Sequence, residues 1–199
     1  MAAQSCKLRI VHFNDVYELD NLPVLRTAID SLAAELDGEP NAKLITTFGG
    51  DFLAPSLLSS IDHGKSMVTA LNTLPVDVTC FGNHESDVPF EALLQRIEEF
   101  DGVWLNSNMP SLAEDLPESG AAHCPAHHVV QVANRSVAFI GLLQGGGKDA
   151  SLYREGAFNG HAARMTPVLD AAAPAAAAAA ASRAAPGGGA VDCLSLIHI

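Results

Sequence analysis

A chain of 199 residues with 48% apolar content is long enough for one sizeable domain with its own core. Its 23 acidic residues against 11 basic ones give a formal net charge of −12, which disfavours a nucleic-acid backbone or an anionic membrane as partner. A small anionic substrate stays compatible with that charge, because bound metal ions reverse the sign locally. The four cysteines (Cys6, Cys80, Cys124, Cys193) show no paired framework and read as reduced thiols. The N-terminal MAAQSCKLRIVHF has no charged segment followed by a long apolar stretch, and no apolar run is long enough to span a bilayer. A cytoplasmic setting without signal peptide or transmembrane segment is the default expectation.

Residues 8–13 (LRIVHF) predict a buried strand that Asn14-Asp15 breaks. From Asn21 to Asp37, Leu22, Leu25, Ile29, Leu32 and Leu36 recur at helical spacing, with Asn21 as N-cap, Pro23 in the first turn and Gly38 as stop. Residues 43–48 (KLITTF) predict a second strand ending at Gly49-Gly50-Asp51. Residues 65–74 fit a helix, and 76–81 (VDVTCF) a third strand ending at Gly82-Asn83-His84. Residues 89–100 open on a proline and fit a helix, and 103–105 (VWL) start a fourth strand before Asn106-Ser107-Asn108. Alternation of strand and helix implies a largely parallel sheet with right-handed crossovers. Residues 128–132 and 136–143 read as a hairpin across Ala133-Asn134-Arg135, which implies a mixed sheet beyond the parallel part. An alanine-dominated helix is expected over 166–185 with Pro174 near its start, then a hinge or loop at Gly187–Gly189.

Asp15, Asp51 and Asn83-His84 each follow directly on a predicted strand. The carboxyl ends of parallel strands form the crevice where ligands bind, so oxygen and nitrogen donors from three strands are expected on one rim. A single loop carboxylate is ordinary turn chemistry. Three polar sites on successive strand ends, two of them after glycine, are harder to explain as turns. The glycines allow a backbone to approach a ligand closely, though they also suit turns.

HFND (12–15), GGDF (49–52) and GNHESD (82–87), with LNSN (105–108) and VAFIGLL (137–143), resemble the calcineurin-like metallophosphoesterases, in the branch containing the 5′-nucleotidases. The resemblance runs from Leu8 to Asp170. It implies an α/β protein with a four-layer α/β/β/α sandwich, here incomplete at the C-terminus. Residues 1–170 would be the N-terminal part of the catalytic domain, and 171–199 an Ala/Gly-rich helix and loop.

The resemblance also implies two divalent metal ions, zinc, manganese or similar. Asp51 would bridge them, Asp15 would bind the first and Asn83 the second. Ions about 3.5–4 Å apart repel, and a shared carboxylate both neutralises charge and sets their spacing. His84 would face substrate and protonate the leaving alcohol, and Asp87 would orient that imidazole. The implied reaction is hydrolysis of a phosphate monoester, with a nucleoside 5′-phosphate as substrate. A phosphodiesterase is the rival within enzymes, and a scaffold that has lost catalysis the rival from another class.

Two departures stand out. The branch reads Asp-x-His after the first strand, where this chain has Asp15-Val16-Tyr17. A tyrosine there either ligates a hard ion as phenolate or covers the site. The family also supplies metal-binding histidines from later strands, and the chain stops before the last of these. Val191-Asp192-Cys193 resembles the start of the strand carrying the next one. LSLIHI (194–199) is what the codons CTG TCT CTT ATA CAC ATC spell, a string resembling a sequencing-library adapter, so a non-native end is expected and His198 reads as a coincidence. With those histidines missing, the 199-residue chain alone is expected to be nearly inactive.

Three further motifs are set aside. His123-Cys124-x-x-His127-His128 lacks the second pair of a zinc site. GGGK (145–148) has Asp149 where a phosphate-binding loop needs Ser or Thr. Asn134-Arg135-Ser136 is a glycosylation sequon only in a secreted protein, and reads better as a turn.

Overall fold

A computed structural model describes residues 5–116 and 124–182, together with the backbone of 193–198. The first half alternates strand and helix: β1 (Lys7–Phe13), α1 (Leu22–Ala34), β2 (Ala42–Phe48), α2 (Ser59–Asp62), α3 (Lys65–Leu71), β3 (Val78–Cys80), α4 (Phe90–Glu99) and β4 (Val103–Leu105). The second half contains the hairpin β5 (His128–Val132) and β6 (Arg135–Leu142), then α5 (Val168–Ala181) and β7 (Cys193–His198). Short 3₁₀ turns span Asn83–Asp87, Pro110–Glu114, Gly147–Leu152 and Ala157–Arg164.

The first sheet has the order β1-β2-β3-β4 with every pair parallel. The second has the order β5-β6-β7, antiparallel within the hairpin and parallel between β6 and β7. Three apolar clusters stack these elements. Phe48, Trp104 and Phe52 pack against Met67, Val68 and Leu71 of α3 and against Leu93 and Ile97 of α4. Ile45, Val78, Cys80 and Leu105 from the first sheet meet Val130, Val132, Val137 and Phe139 from the second. Ala138, Ile140 and Leu142, on the opposite face of β6, pack on Ala171 and Ala179 of α5. The two-residue alternation of β6 thus serves two layers at once, as a strand buried on both faces must. Helices, sheet, sheet and helix give the four-layer α/β/β/α sandwich.

Most elements lie where the periodicity places them, and the differences have local causes. In α1, Leu22 and Ile29 are buried, as is Leu36 just beyond the helix, while Leu25 and Leu32 are half-buried. Helix α3 stops at Leu71, short of residue 74, because Asn72 turns its side chain away: it donates to the Glu99 carbonyl (2.7 Å) and accepts from Asp101 N–H (3.1 Å). The short helix α2 was not anticipated. The hairpin turn is two residues, since Val132 pairs directly with Arg135, and Ala133 takes a left-handed φ of 52°. Pro174 sits mid-way along α5 rather than near its start, because that helix runs only from Val168 to Ala181 and not on to residue 185. Gly187–Gly189 and His123 lie outside the described residues, as do the side chains of 193–198. Among the described residues no helix is long and apolar enough to cross a membrane.

The LNSN segment proves to be a tie between sheets. Ser107 N–H donates to the Gly141 carbonyl, and Gly141 N–H donates back to Ser107 Oγ, both at 2.9 Å. The buried Asn108 amide donates to the carbonyls of Leu143 (2.8 Å) and Thr166 (2.9 Å), and its oxygen accepts from Leu143 N–H (3.0 Å).

The loops after β2 and β3 are held by one buried carboxylate. Glu85 is fully buried and accepts four backbone N–H bonds: Gly82 (2.6 Å) and Asp51 (2.9 Å) on Oε2, Phe52 (3.0 Å) and Leu53 (3.2 Å) on Oε1. The glycines let the loops close on this point. A Cβ on Gly82 would lie 2.6 Å from Asp51 N, and one on Gly50, whose φ is 101°, would lie 2.8 Å from the Cys80 carbonyl. Burial pushes the Glu85 carboxyl above the ordinary range, while the Phe52 and Asp51 N–H groups oppose that shift. A carboxamide offers one acceptor oxygen and turns two N–H donors onto the others. Glu85→Gln is therefore expected to cost about 3 kcal/mol of stability, the scale of leaving a pair of buried donors unpaired. Urea denaturation checks it, and an unshifted midpoint would mean that these N–H groups find other partners.

Candidate active site

Each strand that leads to the rim ends in phenylalanine or is followed by one: Phe13, Phe48 and Phe81. Phe13 stacks on Phe48 with ring centroids 4.8 Å apart, Phe48 meets Phe52 at 5.0 Å, and Trp104 joins Phe52 (5.5 Å) to Phe81 (5.3 Å). This aromatic floor fixes the points at which the chain turns upward into polar residues.

Asp15 and Asp51 both adopt the left-handed region, with φ of 57° and 62°. Such a backbone costs a non-glycine residue about 1–2 kcal/mol and persists only where its surroundings over-determine it. Here the two loops are bonded to each other: Asp15 N–H donates to the Gly50 carbonyl (3.2 Å) and Val16 N–H to the Asp51 carbonyl (3.0 Å). The Tyr17 hydroxyl lies between the two side chains, 2.8 Å from Asp15 Oδ1 and 3.3 Å from Asp51 Oδ2. Asn14 also donates to Asp15. The structure thus brings Asp15, Asp51 and Tyr17 together as expected of a shared rim.

Asp51 is buried, with 3% of its surface exposed, whereas Asp15 is exposed. Burial raises the Asp51 pKa, His84 opposes the shift, and the Asp15 charge adds to it. Burial also raises the Tyr17 pKa, and both carboxylates reinforce this, so the phenol keeps its proton. Among the described residues neither carboxylate is paired with a lysine or arginine. Two adjoining acids without a basic partner, one of them buried, form a donor set that fits a divalent cation. No three His, Cys, Asp or Glu side chains gather as a metal cage among the described residues; there, the Asn83 amide and the Tyr17 phenol are the further oxygens beside the two acids.

Asn83 opens the 3₁₀ turn beside this pair and is exposed. The next residue, His84, donates its backbone N–H to Asp51 Oδ1 (2.8 Å) and packs its ring edge-on to Tyr17, centroids 5.7 Å apart. His84 Nδ1 lies 2.7 Å from Asp87 Oδ2, so Asp87 fixes the imidazole and leaves Nε2 as the outward nitrogen. Burial pulls the His84 pKa down, but the Asp87 hydrogen bond and the nearby carboxylates outweigh it and raise the value overall. The turn itself is pinned by Arg154, which donates to the Ser86 carbonyl (2.7 Å) and faces Asp87 Oδ1 at 3.7 Å.

Sequence reasoning missed two of these parts. Glu85 stood inside GNHESD without a role, and its position next to a histidine on a glycine-led loop was the available signal. Arg154 is 67 residues beyond Asp87 and only the folded chain brings it there. Two grooves flank Tyr17, one of about 390 Å³ beside Asp15 and Asn21 and one of about 540 Å³ beside Pro55, Leu57 and Met67.

A second polar cluster has a different character. His161 donates from Nε2 to Asp115 (2.8 Å), while its Nδ1 accepts from Ser111 Oγ (2.9 Å) and Arg164 (2.8 Å). Serine, histidine and aspartate in sequence suggest a nucleophile triad, but Arg164 donates to the nitrogen that a base for Ser111 would need free. With His161 only 1% exposed, the cluster is a clasp between two 3₁₀ turns. Cys124 is likewise structural: burial pushes its thiol up to about 12.

No protein-family profile matches the chain. A 5′-nucleotidase of Vibrio vulnificus (strain CMCP6) is 25% identical over 146 residues, covering 68% of this chain and 25% of that protein. Among solved structures, the NAD nucleotidase of Haemophilus influenzae superposes with a TM-score of 0.56 at 18% identity, covering 69% of this chain and 29% of its own. The sulfate thiohydrolase SoxB of Thermus thermophilus, solved with glycerol, gives a TM-score of 0.62 at 18% identity over 92% of this chain and 30% of its own. The chain therefore spans between a quarter and a third of the length of these relatives. In sequence it is similar to part of that 5′-nucleotidase, and its four-layer fold is similar to those of the nucleotidase and the thiohydrolase.

Proposed function

We propose that this chain forms the N-terminal part of a metal-dependent active site that hydrolyses phosphate monoesters, with nucleoside 5′-phosphates as the foremost substrate class. The observation that carries the reading is the Asp15–Asp51 pair, bridged by a phenol, without a lysine or arginine partner among the described residues, and set against a His84–Asp87 couple. The similarity to 5′-nucleotidases supports the choice of substrate.

Asp15, Asp51 and Asn83 are the residues that would hold divalent ions. Such ions supply positive charge for the phosphoryl oxygens and lower the pKa of water. The chain's own residues do the rest. Glu85 holds the loops so that Asp51 and the turn at Asn83 keep one spacing. Asp87 sets the His84 ring, and Nε2 is the atom that contacts the phosphoryl group and gives a proton to the departing alcohol. The flanking grooves offer space for the remainder of a nucleotide.

Hydrolysis of nucleoside 5′-phosphates by the complete polypeptide is expected to stop on exhaustive chelation and to return with manganese, zinc or cobalt. Turnover that survives chelation would overturn the metal reading. Product analysis separates this reading from a phosphodiesterase, since only a monoester releases inorganic phosphate directly.

The two groups of residues should separate in mutants. His84→Asn is expected to lower kcat by about 10²–10⁴-fold with metal content retained, because it removes a proton donor and a substrate contact. Asp51→Asn is expected to lose metal first. Metal analysis beside kinetics checks this, and equal metal loss in both variants would reverse the roles assigned to them.

A further inference from the structure

We infer that Arg154 is a positioning residue for the acid step: through Asp87 it holds the His84 ring with Nε2 turned outward. The inference rests on the phosphate-ester reading proposed above and deepens it.

The 3₁₀ turn Asn83–Asp87 is held differently at its two ends. Its first half is bound from beneath, since Gly82 N–H donates to Glu85 (2.6 Å) and His84 N–H to Asp51 (2.8 Å). Its last half ends on the Ser86 carbonyl, one of the acceptors that a helical turn leaves open at its C-terminus. Arg154 Nη2 donates to that carbonyl at 2.7 Å, and the same nitrogen lies 3.7 Å from Asp87 Oδ1. The other Asp87 oxygen, Oδ2, accepts from His84 Nδ1 at 2.7 Å. The carboxylate is thus oriented from both sides, one oxygen toward the imidazole and one toward the guanidinium. The His84 and Asp87 side chains are 33% and 39% exposed, so without the guanidinium water competes for both and the carboxylate is free to turn.

An exposed ion pair by itself contributes little to a fold. Arg154 differs from a free surface arginine because its backbone is fixed on both sides. Before it, Tyr153 donates its hydroxyl to the Gln144 carbonyl (2.6 Å) and meets Phe158 with ring centroids 6.0 Å apart. After it, Ala157 N–H donates to the Arg154 carbonyl (3.1 Å), and Phe158 packs on Phe81 of the aromatic floor at 5.8 Å. The segment that delivers the guanidinium is therefore anchored to the same floor as the strand ends. A small misplacement of an acid relative to its leaving group slows turnover while ground-state binding is kept. Arg154 acts on proton delivery through His84, and not on the capture of metal or phosphate.

Steady-state kinetics of the complete, metal-loaded polypeptide test this. The unaltered chain is compared with Arg154→Met and Arg154→Gln on a nucleoside 5′-monophosphate and on para-nitrophenyl phosphate. The alcohol of the first must take up a proton as it leaves, whereas nitrophenolate departs without one. On the nucleotide, kcat is expected to fall about tenfold to a hundredfold, with KM and metal content unchanged. On the aryl ester the fall is expected to stay within about threefold. Crystal structures of the metal-free polypeptide and its Arg154→Met variant give a readout independent of activity: His84 and Asp87 are expected to part beyond hydrogen-bond reach in the variant. The Arg154 side chain is 62% exposed, so its replacement spares the core, and circular dichroism checks that both variants fold. An unmoved His84–Asp87 pair, an unchanged kcat, an equal loss on both esters, or a raised KM at constant kcat each overturns the inference while the phosphate-ester reading stands. An unaltered polypeptide that hydrolyses neither ester overturns that reading and this inference together.

Discussion

The candidate site depends on the burial of one charge. Glu85 is fully buried and accepts from the N–H groups of Gly82, Asp51, Phe52 and Leu53. Both oxygens are filled, so the carboxylate acts as a template around which two loops from neighbouring strands must fold. The template explains why small residues surround it. Gly50 and Gly82 lie so close to the opposing loop that side chains there would push it away. It also explains how Asp51 tolerates a left-handed backbone: its N–H is held by Glu85 and its carbonyl by Val16.

Around that template, the electrostatics run against the ordinary logic of stability. Proteins pair buried carboxylates with bases or disperse them. Here Asp51 is buried beside Asp15, whose charge raises the cost of its own, and Asp51 in turn raises that of the buried Glu85. The Tyr17 proton and the His84 N–H relieve part of this cost. Arrangements that are unfavourable for the fold alone, yet pinned by several independent contacts, are the expected mark of a site selected for chemistry.

The parallel half of the fold was legible because its strands are short apolar runs that end in glycine or asparagine, and its helices carry an apolar stripe. Asp15, Asp51, Asn83 and His84 were legible for a related reason: strand ends in a parallel sheet share a rim, so a reader who places the strands also places the residues after them. Where the reading fell short, the cause was a contact distant in sequence. Helix α3 ends early because Asn72 bonds to the end of α4. LNSN entered the sequence reading only as part of a family resemblance, and the folded chain shows Asn108 and Ser107 spending their hydrogen bonds joining the sheets. Glu85 passed unremarked because its place beside a histidine on a glycine-led loop marks the segment but not its burial. Its role appears only when four N–H groups from two loops point at it.

The position of Tyr17 connects these levels. Its ring packs edge-on to His84 and its hydroxyl reaches both acids, so a single side chain touches the imidazole and the carboxylate pair. A histidine at the same place would bring a ring nitrogen, a different reach and a titration near neutrality. The phenol brings none of these, and burial beside two carboxylates keeps its proton in place. The rim therefore keeps one hydrogen-bond donor shared between its acids across the physiological range, and their spacing is set by that donor as well as by the backbone beneath. In this chain the loops and the phenol together define the gap between Asp15 and Asp51, with Glu85 fixing one wall and Tyr17 spanning the opening.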